Sequence, residues 1–159
     1  MDFSAPHESR LLPIVRHALE VRDIDHEVED DPLHVTFSLA GERSSYDFLV
    51  SVDERNQIVV CYARADGGVP AERRTAACEL LTRINYELAL GCFERDLSDG
   101  EILFRVGVHA ARGALSAAMV ESLVDVGLYT FDRFHPAIVR VAYDGASPEQ
   151  ALEELEERE

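Results

Sequence analysis

Hydrophobic residues recur at two different periods along this chain, and each change of period marks a new element. Ile14, Val15, Ala18 and Leu19 share one face at helical spacing, and Pro13 suits a first helical turn, so residues 13–22 predict a helix. In the acidic stretch that follows, Ile24, His26 and Val28 alternate weakly, as in a ragged edge strand. The period then becomes two. Val35, Phe37 and Leu39 alternate with polar neighbours, Gly41 turns the chain, and Tyr46, Phe48, Val50 and Val52 alternate again. Asp53-Glu54-Arg55-Asn56 turns it once more into the apolar run Ile58 to Tyr62. Three strands joined by short polar turns predict an antiparallel meander.

Helical spacing returns after Asp66-Gly67-Gly68. Pro70 opens a helix expected to reach Leu90, with Ala77, Leu80, Leu81, Ile84 and Leu88 as its stripe and Gly91 at C′. Two further strands, 92–97 and 101–109, hinge at Ser98-Asp99-Gly100, and Ile102, Phe104, Val106 and Val108 mark the second one's buried face. Ser116 is a good N-cap for a long helix carrying Met119, Val120, Leu123, Val124, Leu128 and Phe131. Pro136 is expected to kink or end it. Ser147-Pro148-Glu149 starts a last short helix.

The order α-β-β-β-α-β-β-α, with an extra terminal helix, predicts an α+β two-layer sandwich: a five-stranded antiparallel sheet with helices on one face. Residues 1–145 are expected to form the domain and 146–159 an acidic C-terminal helix or tail. If the Tyr46–Val52 and Ile102–Val108 rows face the helices, the other face carries Thr36, Ser38, Asp47, Ser51, Glu94 and Arg105. Leu49, Val59, Cys61 and Leu103 are expected to point the same way and to form an apolar patch for a partner protein, unless the terminal helix or a dimer mate covers it.

Charge narrows the choice of partner. The 15 basic residues are all arginine and stand against 31 acids, a net charge of −16. The acids concentrate in residues 20–31, seven against one arginine, and in residues 149–159, six against one. Such a field repels phosphate backbones and anionic lipid, which excludes nucleic acid and membrane as expected partners. A 47% hydrophobic content suffices for a core in a chain of 159 residues. The opening Met1-Asp2-Phe3-Ser4-Ala5-Pro6 lacks the basic and apolar regions of a signal peptide, so a cytoplasmic protein is expected.

Candidate chemistry is sparse. Asp23, Asp25 and Glu27 have the spacing of a calcium loop, but Val28 replaces the glycine of its sixth position and His34 the glutamate of its twelfth. His7, His17, His26, His34, His109 and His135 make no His-x-His or His-x-x-x-His pair, so no metal is expected. Cys61, Cys78 and Cys92 read as core filler rather than nucleophiles or disulfide partners. No Gly-x-Ser-x-Gly, phosphate loop or Gly-x-Gly-x-x-Gly occurs, so neither a catalytic residue nor a cofactor is assigned. Asn85, a polar residue within Ile84-Asn85-Tyr86, is expected to make a hydrogen bond that fixes the helix to the sheet.

Leu81-Thr82-Arg83-Ile84-Asn85-Tyr86, Leu90-Gly91-Cys92-Phe93-Glu94 and Asp99-Gly100-Glu101, continued by Leu115-Ser116 and Asp132-Arg133-Phe134-His135-Pro136, resemble the YbjN-domain family of bacterial proteins over roughly residues 12–145. The resemblance implies a fold similar to type III secretion chaperones, which are small, acidic, cytosolic and dimeric. It associates the chain with sensory-transduction and stress regulation and carries over no catalytic residue. The expectation is a non-enzymatic regulator or chaperone-like protein-binding module acting as a homodimer. The alternatives are a small-molecule sensor or minor enzyme with a pocket between sheet and helices, and a structural subunit of a larger assembly.

The charge generates a first prediction. Fluorescence anisotropy with duplex and single-stranded nucleic acid at ~150 mM salt should give no sub-micromolar binding, because no basic stripe is available to release counterions.

Overall fold

The period-two segments pair into one antiparallel sheet of six strands in a computed structural model that describes residues 10–30, 32–110 and 114–157. The strands are β1 (Glu27–Asp30), β2 (Leu33–Ala40), β3 (Ser45–Asp53), β4 (Ile58–Ala65), β5 (Cys92–Arg95) and β6 (Ile102–His109), in the spatial order β1-β2-β3-β4-β6-β5. The sheet therefore has one strand more than the five expected. The extra one is β1, the ragged segment, whose four residues are all exposed and of which three are acids. It pairs with β2 over Glu27↔Thr36 to Asp30↔Leu33. A short acidic edge strand resists further pairing, because its charges would be brought against any added strand.

Among the described residues four helices lie on one side of the sheet: α1 (Leu12–Val21), α2 (Arg74–Glu87), α3 (Ala117–Ala142) and α4 (Pro148–Glu156), the last packed on α2 and α3. Between the layers, Val35, Phe37, Tyr46, Phe48, Val50, Val52, Phe93, Ile102, Phe104 and Val106 meet Val15, Leu19, Leu80, Ile84, Val124 and Phe131. Phe93 packs edge-on against Phe104, Phe131 and Phe134. Burying each such side chain contributes about 1.5–3 kcal/mol against the entropy of ordering the chain.

Polar contacts fix the layers in register. Asn85 donates to the Phe93 carbonyl at 2.9 Å and accepts from the Phe93 N–H at 2.7 Å, so one side-chain amide ties α2 to β5. Asp132 of α3 accepts from the Glu42 and Arg43 N–H groups and from the Tyr46 hydroxyl, at 3.1, 2.9 and 2.9 Å. Burial acts to raise the Asp132 pKa, but these hydrogen bonds prevail and hold it below the usual carboxylate value. Gly41 permits the approach, since a Cβ there would collide with the Asp132 carboxylate and the Tyr46 ring. Glu54, in the β3–β4 loop, accepts from the Leu11 and Leu12 N–H groups at 2.8 and 3.2 Å and so caps α1 from a distance.

Serine side chains cap the starts of α3 and α4. Ser116 caps α3 by accepting from the Met119 N–H, and Ser147 and Gln150 form a reciprocal capping box at α4. Pro136, however, does not end α3, which runs on to Ala142. Phe131, Phe134, Ala137, Ile138 and Val141 on both sides of the proline are buried, and this packing offsets its cost of about 3 kcal/mol. Gly91 is not the C′ residue of α2 either. The chain first makes a 3-10 turn at Ala71–Arg73, α2 then stops at Glu87 with Leu88 already extended, and Gly91 takes its positive φ in the link to β5.

The β5–β6 loop shows a strict glycine requirement. Gly100 has φ +89°, and a Cβ there would lie 2.5 Å from the Val69 carbonyl oxygen and 3.1 Å from Arg74 Nε. That guanidinium also holds the Val69, Ser98 and Asp99 carbonyls, so the loop has no room to move away. Gly100→Val should lower stability by roughly 1–3 kcal/mol, read as a reduced urea midpoint; an unchanged midpoint would contradict this account of the turn.

Candidate functional site: the outer face of the sheet

Strand register lays the outer face out in rows. Glu27, Thr36, Leu49, Tyr62, Arg105 and Cys92 form one row across β1, β2, β3, β4, β6 and β5. Ser38, Asp47, Arg64, Leu103 and Glu94 form the next. Among the residues expected to make an apolar patch, Leu49 and Leu103 do lie on this face, half-buried. Val59 and Cys61 do not. They are 0% and 1% exposed and belong to the core between the layers.

The reason is the β3–β4 turn. Its register pairs Val52 with Val59 and Val50 with Cys61, and directly opposed residues in an antiparallel pair point to the same side. Gln57, at φ 57°, completes a four-residue loop between Asp53 and Ile58. In place of Val59 and Cys61, β4 sends Val60, Tyr62 and Arg64 outward. Counting outward from the paired ends of that loop would have found Tyr62 beside Leu49; the unbroken apolar run of β4 gave no alternation to count.

These side chains floor a groove of about 990 Å³. Leu49, Tyr62 and Leu103 supply apolar surface, Thr36 and Ser38 flank it, and Asp25, His26 and Glu27 rise along the β1 side with Glu101 on the β6 side. Arg64 lies within it, bonded to Glu101 at 2.9 Å and to Asp47 at 3.4 Å, while Asp47 also accepts from the Ser38 hydroxyl at 2.7 Å. Beyond Leu103, Arg105 is paired with Glu94 at 2.7 Å. The cations of this face are thus already engaged by carboxylates. Among the described residues, no ion pair reaches Asp25 or Glu27.

The terminal helix does not cover the groove. α4 lies on α2 and α3, on the opposite side of the sheet, with Ala151 and Leu155 buried. Two arginines hold it there: Arg140 bonds both Glu154 oxygens at 2.9 Å, and Arg83 bonds Glu149 at 2.6 Å.

Other reactive side chains are occupied structurally. Burial pushes the Cys61 thiol pKa up to about 12, which leaves it protonated and unreactive at neutral pH. Cys78 accepts from Arg95 Nε at 3.1 Å, and Cys92 lies 3.8 Å from the Arg105 guanidinium. His135, packed edge-on to Tyr46, has its pKa lowered by burial, so its imidazole is neutral at pH 7. Among the described residues no cluster of three or more His, Cys, Asp or Glu side chains could hold a metal ion, and no helix is long and apolar enough to cross a membrane. His7 lies outside the described residues.

The family model of YbjN, described as "Putative bacterial sensory transduction regulator", matches residues 12–140. The chain belongs to the YbjN family. Its fold is similar to the crystal structure of YbjN from E. coli, described there as a putative transcription regulator, with TM-score 0.57, 10% identity, and 76% of this chain and 85% of that one covered. It is also similar to a chain of the ExsC–ExsE complex, with TM-score 0.50, 14% identity, and 84% and 93% coverage. The likeness to a chain of the HopA1–SchA chaperone–effector complex has TM-score 0.48, 12% identity, and 78% and 91% coverage. No curated protein matches this YbjN-family chain in sequence. The architecture is therefore the α+β sandwich of YbjN and the type III secretion chaperones, as the resemblance implied.

Proposed function

We propose that this YbjN-family protein is a non-enzymatic regulator or chaperone-like module that works in the cytoplasm by holding a partner protein on the outer face of its sheet. One observation carries the reading: Leu49, Tyr62 and Leu103 floor an open groove while the described helices lie on the other side of the sheet. Apolar surface lining a groove and rimmed by polar groups is the usual form of a protein docking site. The fold likeness to a chain solved in the ExsC–ExsE complex agrees with this reading. The alternative, a small-molecule sensor or enzyme with a pocket between the layers, has less support, because closely packed aromatic rings occupy that space.

Leu49→Glu tests the groove. Leu49 is half-buried between Thr36 and Tyr62, so the variant should keep its circular dichroism and melt close to wild type while losing most of the capture of a reproducible stoichiometric partner from lysate. Undiminished capture by the folded variant would place the binding surface elsewhere.

The homodimer is the companion proposal and uses a different surface. Strand β5 is the other edge of the sheet, and large apolar side chains stand exposed at both of its ends: Tyr86 (93%) and Leu90 (63%) before it, Leu97 (74%) after it. Asn85 already bonds the Phe93 N–H and C=O in the middle of β5, so two copies would meet through these apolar side chains, which the contact would remove from water, rather than strand to strand. Light scattering should give twice the chain mass; a monomer throughout the micromolar range would refute the dimer.

A further inference from the structure

Resting on the reading of the groove as a protein-binding site, we infer the chemistry of its occupant: a short amphipathic helix with leucine-type residues on one face and arginine or lysine along both flanks. The floor accounts for the apolar face. Leu49, Tyr62 and Leu103 present carbon surface near the middle of the sheet, where an aliphatic stripe can be buried.

The rim accounts for the flanks. Asp25, Glu27, Asp47 and Glu101 put four carboxylates around the groove against one guanidinium, and Arg64 is already bonded to two of them. A second copy of this chain seated here would bring the same excess of acid face to face, so the groove opposes self-association and favours a basic guest. Asp25 and Glu27 have no ion pair among the described residues, and a guest's cations could meet them without displacing an internal partner.

Dimensions agree with a helix lying along the strands. The acids of the β1 side and Glu101 beside β6 stand four strand spacings apart, roughly 19 Å at ~4.8 Å per strand. A helix with its side chains is about 10–12 Å across, which leaves room on each side for an arginine or lysine stem to extend to the rim.

The test uses the full chain and a fluorescein-labelled 14-residue peptide with leucines at i, i+3, i+4 and i+7 and arginines on both flanks, compared with a peptide in which every arginine is glutamine. Three forms of the protein are titrated: wild type, the rim variant Asp25→Asn/Glu27→Gln/Glu101→Gln, and the tail variant Glu153→Gln/Glu156→Gln/Glu157→Gln, which removes equal charge on the far side. The arginine peptide should bind wild type, lose about tenfold in affinity to the rim variant and change less than about twofold with the tail variant. The glutamine peptide should bind no better than the arginine peptide binds the rim variant. Equal losses in the two variants would reduce the effect to general attraction by an acidic surface and overturn the assignment. No binding of the arginine peptide to wild type would also overturn it. If the glutamine peptide binds wild type as tightly as the arginine peptide, and Leu49→Glu abolishes both, the groove is a binding site and the charge assignment alone is wrong.

Discussion

A sheet has two sides, and every described helix of this protein lies on the same one, with α4 packed on α2 and α3. The inner rows of the sheet are sealed by aromatic and aliphatic packing, and the outer rows meet solvent as a mixture of paired charges and carbon surface. This one-sided covering fixes the meaning of each residue on β2, β3, β4 and β6. A side chain on one parity is core, and its immediate neighbour is surface available to a partner. The ties between the layers, Asn85 to β5 and Asp132 to the β2–β3 turn, keep the helices on that side and in one position.

Much of this was legible in the sequence because polar and apolar residues alternate cleanly in β2, β3 and β6. Tyr46, Phe48, Val50 and Val52 read as buried and are buried. Strand β4 was different. Ile58 to Tyr62 is apolar at every position, so the run carries no parity of its own, and only the pairing of β4 with β3 puts Val59 and Cys61 on the core side. The acids of the groove were equally hard to assign. Asp25 and Glu27 belong to a charged run that reads as solvated surface, and only the pairing of β1 with β2 brings that run beside Leu49. Nothing local in the sequence encodes that proximity.

Pro136 and Gly91 show the limit of residue-by-residue rules. Each has its own conformational preference, and at Pro136 the neighbouring packing overrides it. Apolar residues on both sides of Pro136 hold one continuous helix, whereas α2 stops before the glycine that was expected to end it. Asn85 went the other way: a polar residue within an apolar segment implied a backbone partner, and Phe93 supplies both halves of it.

The grip of Asp132 on the β2–β3 turn alters what that turn is. Hairpin tips are usually the places where a chain tolerates being cut or extended, because nothing else depends on them. Here the tip is held at two backbone amides, and β3 beside it at the Tyr46 hydroxyl, by the longest described helix, whose far end Arg73 grips in turn at the Val141 carbonyl while also bonding the Ala146 carbonyl just beyond it. Peptide tags, circular permutation or a protease site placed at Glu42–Ser44 would pull on α3 as well as on the hairpin. The tip is exposed to solvent, yet it behaves mechanically as part of the interior.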